Sequence, residues 1–157
     1  SMYGPPVPQH ITSFMNGRGK PAQSGPLDGN GRRTVYLEVR RNFLDPMLTS
    51  FDRPIPFTSF GKREVTNVPA QSLILLNDPF VMQEAARLAE RMAKKGLKKQ
   101  EEKIQWLYTN CFGRAATEDE IREVNQLLTR LSEKNSRTVW KDFVHTIFNL
   151  KEFIYLN

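Results

Sequence analysis

The sequence predicts a mainly α protein, an antiparallel bundle of about four helices preceded by a loop-rich arm and a small β element. Three observations carry this expectation. All ten prolines lie at or before Pro79, and six of the nine glycines lie in residues 1–33, so turns crowd the first half and leave the second free to be helical. Apolar stripes at helical spacing follow one another from residue 79 to residue 148. One segment, 32–41, alternates apolar and polar side chains. The boundary is placed at residue 68, with the arm and β element over 1–68 and the bundle over 69–157, together one structural domain of a larger protein.

Each element has its own signal. Gly4-Pro5-Pro6-Val7-Pro8 favours extended backbone, while Gly17-Arg18-Gly19-Lys20-Pro21 and Pro26-Leu27-Asp28-Gly29-Asn30-Gly31 favour turns. An arm of this composition is either disordered or wrapped over other parts of a protein. In 32–41, Val35, Leu37 and Val39 alternate with Thr34, Tyr36, Glu38 and Arg40, as in a half-buried strand. Its candidate partners are 57–60 and 62–66, giving a sheet of two or three strands at most.

The helices are well punctuated. A short apolar helix is expected over 69–76, with Pro69 in its first turn. Asp78 caps the next, which starts at Pro79, buries Val81, Ala85, Leu88 and Met92, and stops near Gly96. A third covers about 99–112, with Ile104, Leu107, Tyr108 and Cys111 on one face and Gly113 just past its end. Thr117-Glu118-Asp119-Glu120 is a capping box, and the helix it opens carries Ile121, Val124, Leu128 and Leu131 inward to about residue 133. Ser136 is expected to cap a last helix bearing Trp140, Phe143, Val144, Ile147 and Phe148, followed by one turn around 152–156.

Composition narrows the function. A chain of 157 residues fits one domain with a modest core. The net charge is +6, with each half contributing +3, so no basic tail stands out. No apolar run approaches the length of a membrane span. The start resembles no signal peptide, and Ser1-Met2 looks like a cloning remnant, so a piece of a longer protein is expected. The single cysteine, Cys111, excludes an internal disulfide and a Cys-x-x-Cys-His haem attachment. With only His10 and His145 besides, a structural zinc site is short of ligands, and no metal or cofactor is expected within this chain.

The search for chemistry gives no self-contained catalytic site. Cys111 lies on an apolar stripe near a helix C-terminus, where the dipole opposes a thiolate. His145 follows Asp142 by three residues, the spacing of a helix-surface pair. The glycine-rich turns lack the spacing of a phosphate loop, and Asp28 and Asn30 lack the further carboxylates of a calcium loop. Arg32, Arg33, Arg40 and Arg41 bracket Tyr36 and form the best basic-aromatic cluster, suited to an acidic glycan or to acidic groups of a neighbouring domain. It lacks the glycine-aromatic spacing of an RNA-recognition strand, which weighs against nucleic acid. Together with His10, Arg18 and Asp28 in the arm, these arginines are the candidate ligand-binding residues.

A family resemblance enters through the order of several segments. Gly31-Arg32-Arg33-Thr34-Val35-Tyr36-Leu37-Glu38-Val39-Arg40-Arg41-Asn42-Phe43 is followed by Ser50-Phe51-Asp52-Arg53-Pro54, then by Asn67-Val68-Pro69-Ala70-Gln71 and Leu76-Asn77-Asp78-Pro79. Phe112-Gly113-Arg114, the Thr117 capping box and Phe148-Asn149-Leu150-Lys151-Glu152-Phe153 come after. Over residues 7–157 the chain resembles the C-terminal part of the Planctomycete-specific domain-one family, a domain of unknown function in large exported proteins. The resemblance implies a periplasmic or cell-surface setting, upstream domains as partners, and neighbouring modules that are carbohydrate-related or haem-bearing. It carries over no catalytic residue. The expected role is therefore a non-catalytic interaction or scaffold module. The alternatives are a share of an active or ligand-binding site completed by upstream domains, and an anion-binding surface for acidic glycan or nucleic acid.

Overall fold

The computed structural model describes residues 4–56, 61, 68–135 and 138–155. The protein is mainly helical, and among the described residues there is no sheet. The chain divides into two compact units, Ser1–Ile74 with Asp78–Phe80, and Leu75–Asn77 with Val81–Asn157.

The first unit is built from turns. The arm folds back on itself, burying Val7 and Gln9. Asp28 accepts from the Asn30 amide and so holds the 3-10 turn Gly29–Gly31, in which Asn30 is left-handed. The predicted strand over 32–41 does not form. Thr34–Tyr36 is a second 3-10 turn, and among the described residues only Leu37 pairs, through one parallel bridge to Val7. The Val7 amide donates to the Tyr36 carbonyl and the Glu38 amide to the Val7 carbonyl, each at 2.9 Å. The ladder stops there for a chemical reason. Pro5 has no N–H to extend it backwards, and the Gln9 carbonyl is already taken by the Gly25 amide. Val35, predicted to alternate with polar neighbours on a half-buried strand, is 77% exposed as a result. The partners predicted for the strand, 57–60 and 62–66, lie outside the described residues.

The same unit holds helix α1, Pro46–Ser50. Asp45 is its N-cap, accepting from the Leu48 amide, and Pro46 takes the first position. Asp52 closes it in the left-handed region at φ 60°, with the Arg53 amide on the Leu48 carbonyl and the Asp52 amide on the Thr49 carbonyl. Helix α2, Val68–Asn77, places buried Gln71 so that its amide nitrogen donates to the Ser50 carbonyl, an orphaned group at the end of α1. The resemblance segments around Ser50 and Gln71 thus meet in one hydrogen bond.

The second unit holds the main core. Helix α3, Pro79–Ala93, starts after Asp78, whose carboxylate accepts from the Phe80 amide. Helix α4, Gln100–Phe112, ends on left-handed Gly113. Helix α5, Glu118–Asn135, opens with the expected box, in which Thr117 donates its amide to Glu120 at 2.7 Å and its hydroxyl accepts the Glu120 amide at 3.3 Å. Helix α6 is Val139–Phe148 and α7 is Lys151–Ile154, while the predicted cap Ser136 lies outside the described residues. α5 packs against α4 and α6, and α7 against α4 and α6. Ala85, Met92, Ile104, Leu107, Val124, Leu128, Phe143, Val144 and Ile147 fill the space between them.

Candidate functional site

The arm carries the polar groups that its fold leaves unanswered. Segment 5–9 is proline-rich and extended about the single Val7 bridge, so Val7 and Gln9 share a face, and both are buried. Gln9 is 3% exposed, yet among the described residues neither its amide nitrogen nor its amide oxygen has a hydrogen-bond partner. The Thr12 hydroxyl is buried and unpaired in the same way. Arg32 donates from Nη1 to the Pro5 carbonyl at 2.7 Å and lays its guanidinium 4.2 Å from the centre of the Tyr36 ring. Its Nε and Nη2 are shielded from solvent and have no acceptor. A buried donor or acceptor without a partner costs about 1–3 kcal/mol, and native folds keep few of them.

The other residues singled out from sequence are engaged locally. His10 donates from Nδ1 to the Gly25 carbonyl at 3.0 Å, with the Ser24 hydroxyl 3.1 Å away. Asp28 serves its turn. Arg40 pairs with Glu38 at 3.1 Å, which offsets part of the cluster's charge. Arg18, Arg33 and Arg41 are exposed. These bonds gather the candidates into small separate groups. The structure adds Gln9 and Thr12, for which the sequence offers no signal, because each becomes notable only through burial.

The second unit uses its reactive side chains for structure. His145 donates from Nε2 to the Leu75 carbonyl at 3.1 Å, while Asp142, its expected partner, accepts from the Thr138 hydroxyl. Burial pushes the Cys111 thiol up, away from thiolate. Arg114 forms a clasp. Its Nε and Nη2 grip Glu152 at 2.6 and 2.8 Å, and Nη2 and Nη1 grip Glu120 at 2.7 and 2.9 Å. The remaining Nη1 hydrogen goes to the Ala115 carbonyl, so all five N–H donors are used. The Arg114 hydrogen bonds hold the Glu120 carboxyl down at about 2, lower Glu152 as well, and are matched by a rise in Arg114 itself. Burial, followed by the nearby Glu120 charge, raises the Tyr108 hydroxyl.

Between α4 and α5 an open groove of about 800 Å³ is lined by Gln105, Glu118, Arg122, Asn125 and neighbours. The Gln105 side chain is spent on the backbone of Ala116, both donating and accepting at 2.9 Å. Among the described residues no cluster of His, Cys, Asp and Glu has the make-up of a metal site, and no helix is long and apolar enough to cross a membrane.

Neither the curated proteins nor the solved structures contain a match to the chain. A family model does match, over residues 1–128, which takes in the arm, the Gln71 segment, the Arg114 turn and the capping box, and stops inside α5 before Phe148–Phe153. With most of its length so matched, the chain belongs to the PSD1 family, described as proteins of unknown function (DUF1553).

Proposed function

We propose that the chain is a non-catalytic interaction module of a larger exported protein, with the helical unit as scaffold and the arm as the surface offered to a neighbouring domain. The observation that supports this most is Gln9. A side chain that is 3% exposed with both polar atoms unpaired is suited to bonds that arrive from outside the chain. The engagement of His145, Arg114, Glu120 and Glu152 in structural bonds points the same way, since it leaves those groups committed to the fold. The exported setting rests on the family resemblance alone.

Amide hydrogen exchange tests the reading, on the chain alone and with the remainder of its parent polypeptide added in trans. Amides in residues 4–43 should exchange at least about tenfold more slowly in the mixture. Unchanged rates would sink the proposal. So would turnover of a polysaccharide or ester substrate by the purified chain.

A further inference from the structure

Two arginines in this protein present the same edge, and only one has it filled. Arg114 uses Nε and Nη2, whose N–H bonds run parallel, to hold the two oxygens of Glu152 at 2.6 and 2.8 Å. Arg32 is oriented by the Pro5 carbonyl and the Tyr36 ring. Its Nε and Nη2 face no acceptor among the described residues. The shape and charge of that edge suit a carboxylate.

Gln9 adds a second requirement. Its unpaired amide offers a donor and an acceptor side by side, the complement of the C=O and N–H of a peptide unit. Gln9 and the Arg32 contact at Pro5 stand on one short extended segment, at most about 13 Å apart along the chain. A stretch of four or five residues spans that distance. Gly4 lies beside the guanidinium, where an added Cβ would come within 3.2 Å of both terminal nitrogens, so a larger residue there would crowd the edge.

We propose that Arg32 and Gln9 form a receptor for an acidic protein segment. An Asp or Glu carboxylate docks on the Nε and Nη2 edge of Arg32, and a neighbouring peptide unit pairs with the Gln9 amide. A uronate polymer would supply the carboxylate but no peptide unit, which is why the protein segment is favoured. This rests on the interaction reading given above.

The test uses the whole chain and fluorescently labelled deca-L-glutamate. Anisotropy should show saturable binding, and the Arg32 Nε–H resonance of the unaltered chain should shift along the same curve. Arg32→Lys keeps the charge and loses the paired edge, so it should weaken binding by about tenfold or more. Arg91→Lys, at an exposed position in the last turn of α3, should change nothing. Absence of deca-glutamate binding, an Arg32 resonance that stays still, or equal affinity in a folded Arg32→Lys chain each overturns the proposal. Equal binding of polygalacturonate, with the same dependence on Arg32, overturns the choice of a protein segment. If the parent polypeptide still protects the arm in the Arg32→Lys chain, the receptor fails while the interaction reading stands.

Discussion

At the scale of the residue, the same side chain has different meanings according to what surrounds it. Arg114 satisfies all five donors within the chain, and Arg32 satisfies one edge and leaves the other. Gly25 shows the opposite case, a residue whose importance is purely the absence of an atom. Its amide donates to the Gln9 carbonyl at 2.9 Å, and its carbonyl accepts from His10. A Cβ at Gly25 would lie 1.9 Å from the Pro8 carbonyl oxygen, a backbone atom that cannot rotate away. Gly25→Ala should therefore destabilise the first unit by ~2–3 kcal/mol, the order of a forced overpacking. Urea denaturation read by the amide exchange of residues 4–43 would measure it. A loss below about 0.5 kcal/mol, the range of an ordinary surface change, would mean that the arm is not held against Pro8 as described.

At the scale of the element, local signals were readable and distant ones were not. Asp78, Gly113 and the Thr117–Glu120 pair were legible because each cap acts within a few residues of itself. The buried stripes of α3, α4 and α5 were legible through their period. Helix α1 was missed although Asp45-Pro46 repeats the grammar of Asp78-Pro79, because five residues are too few to show a stripe. Asp45→Ala should cost about 1 kcal/mol, read as a lower urea midpoint for the first unit, and Asp45→Asn should recover most of it. The strand was wrongly expected because alternation describes side chains, whereas a ladder also needs a partner with free N–H and C=O groups. Pro5 and the occupied Gln9 carbonyl deny it one. Gln71 reaching Ser50, twenty-one residues away, lies beyond any local reading, as do the unpaired atoms of Gln9.

At the scale of the whole molecule, the Arg114 clasp joins parts of the helical unit that are thirty-eight residues apart in sequence. Arg114 lies in the α4–α5 turn, Glu120 in the first turn of α5 and Glu152 in α7. The guanidinium also lies 5.5 and 5.7 Å from the Tyr108 and Phe112 rings. This arrangement makes stability depend on acid. The Arg114 hydrogen bonds lower the Glu120 carboxyl from its ordinary value of 4.5 to about 2. A carboxyl depressed by folding contributes stability that is fully present above its unfolded value and is lost as pH falls through its folded value. The unfolding midpoint of the intact chain should therefore drop between about pH 4.5 and pH 2, beyond the general effect of net charge. Glu152 is shifted in the same direction and adds to the drop. Glu120→Gln removes the titration while keeping a side chain of the same shape. It should lower the midpoint at pH 7, where the ion pair is lost, and flatten the acid limb. The two curves should draw together as pH falls towards 2 and meet below it, where the Glu120 carboxyl is protonated in the folded chain as well. Arg114→Lys retains the charge but cannot fork to two carboxylates, so its acid limb should lie between the other two. Midpoints measured by circular dichroism at half-unit intervals of pH decide the matter. Curves that stay parallel from pH 7 to pH 2 would show that the clasp, whatever its geometry, does not bear on the stability of the helical unit.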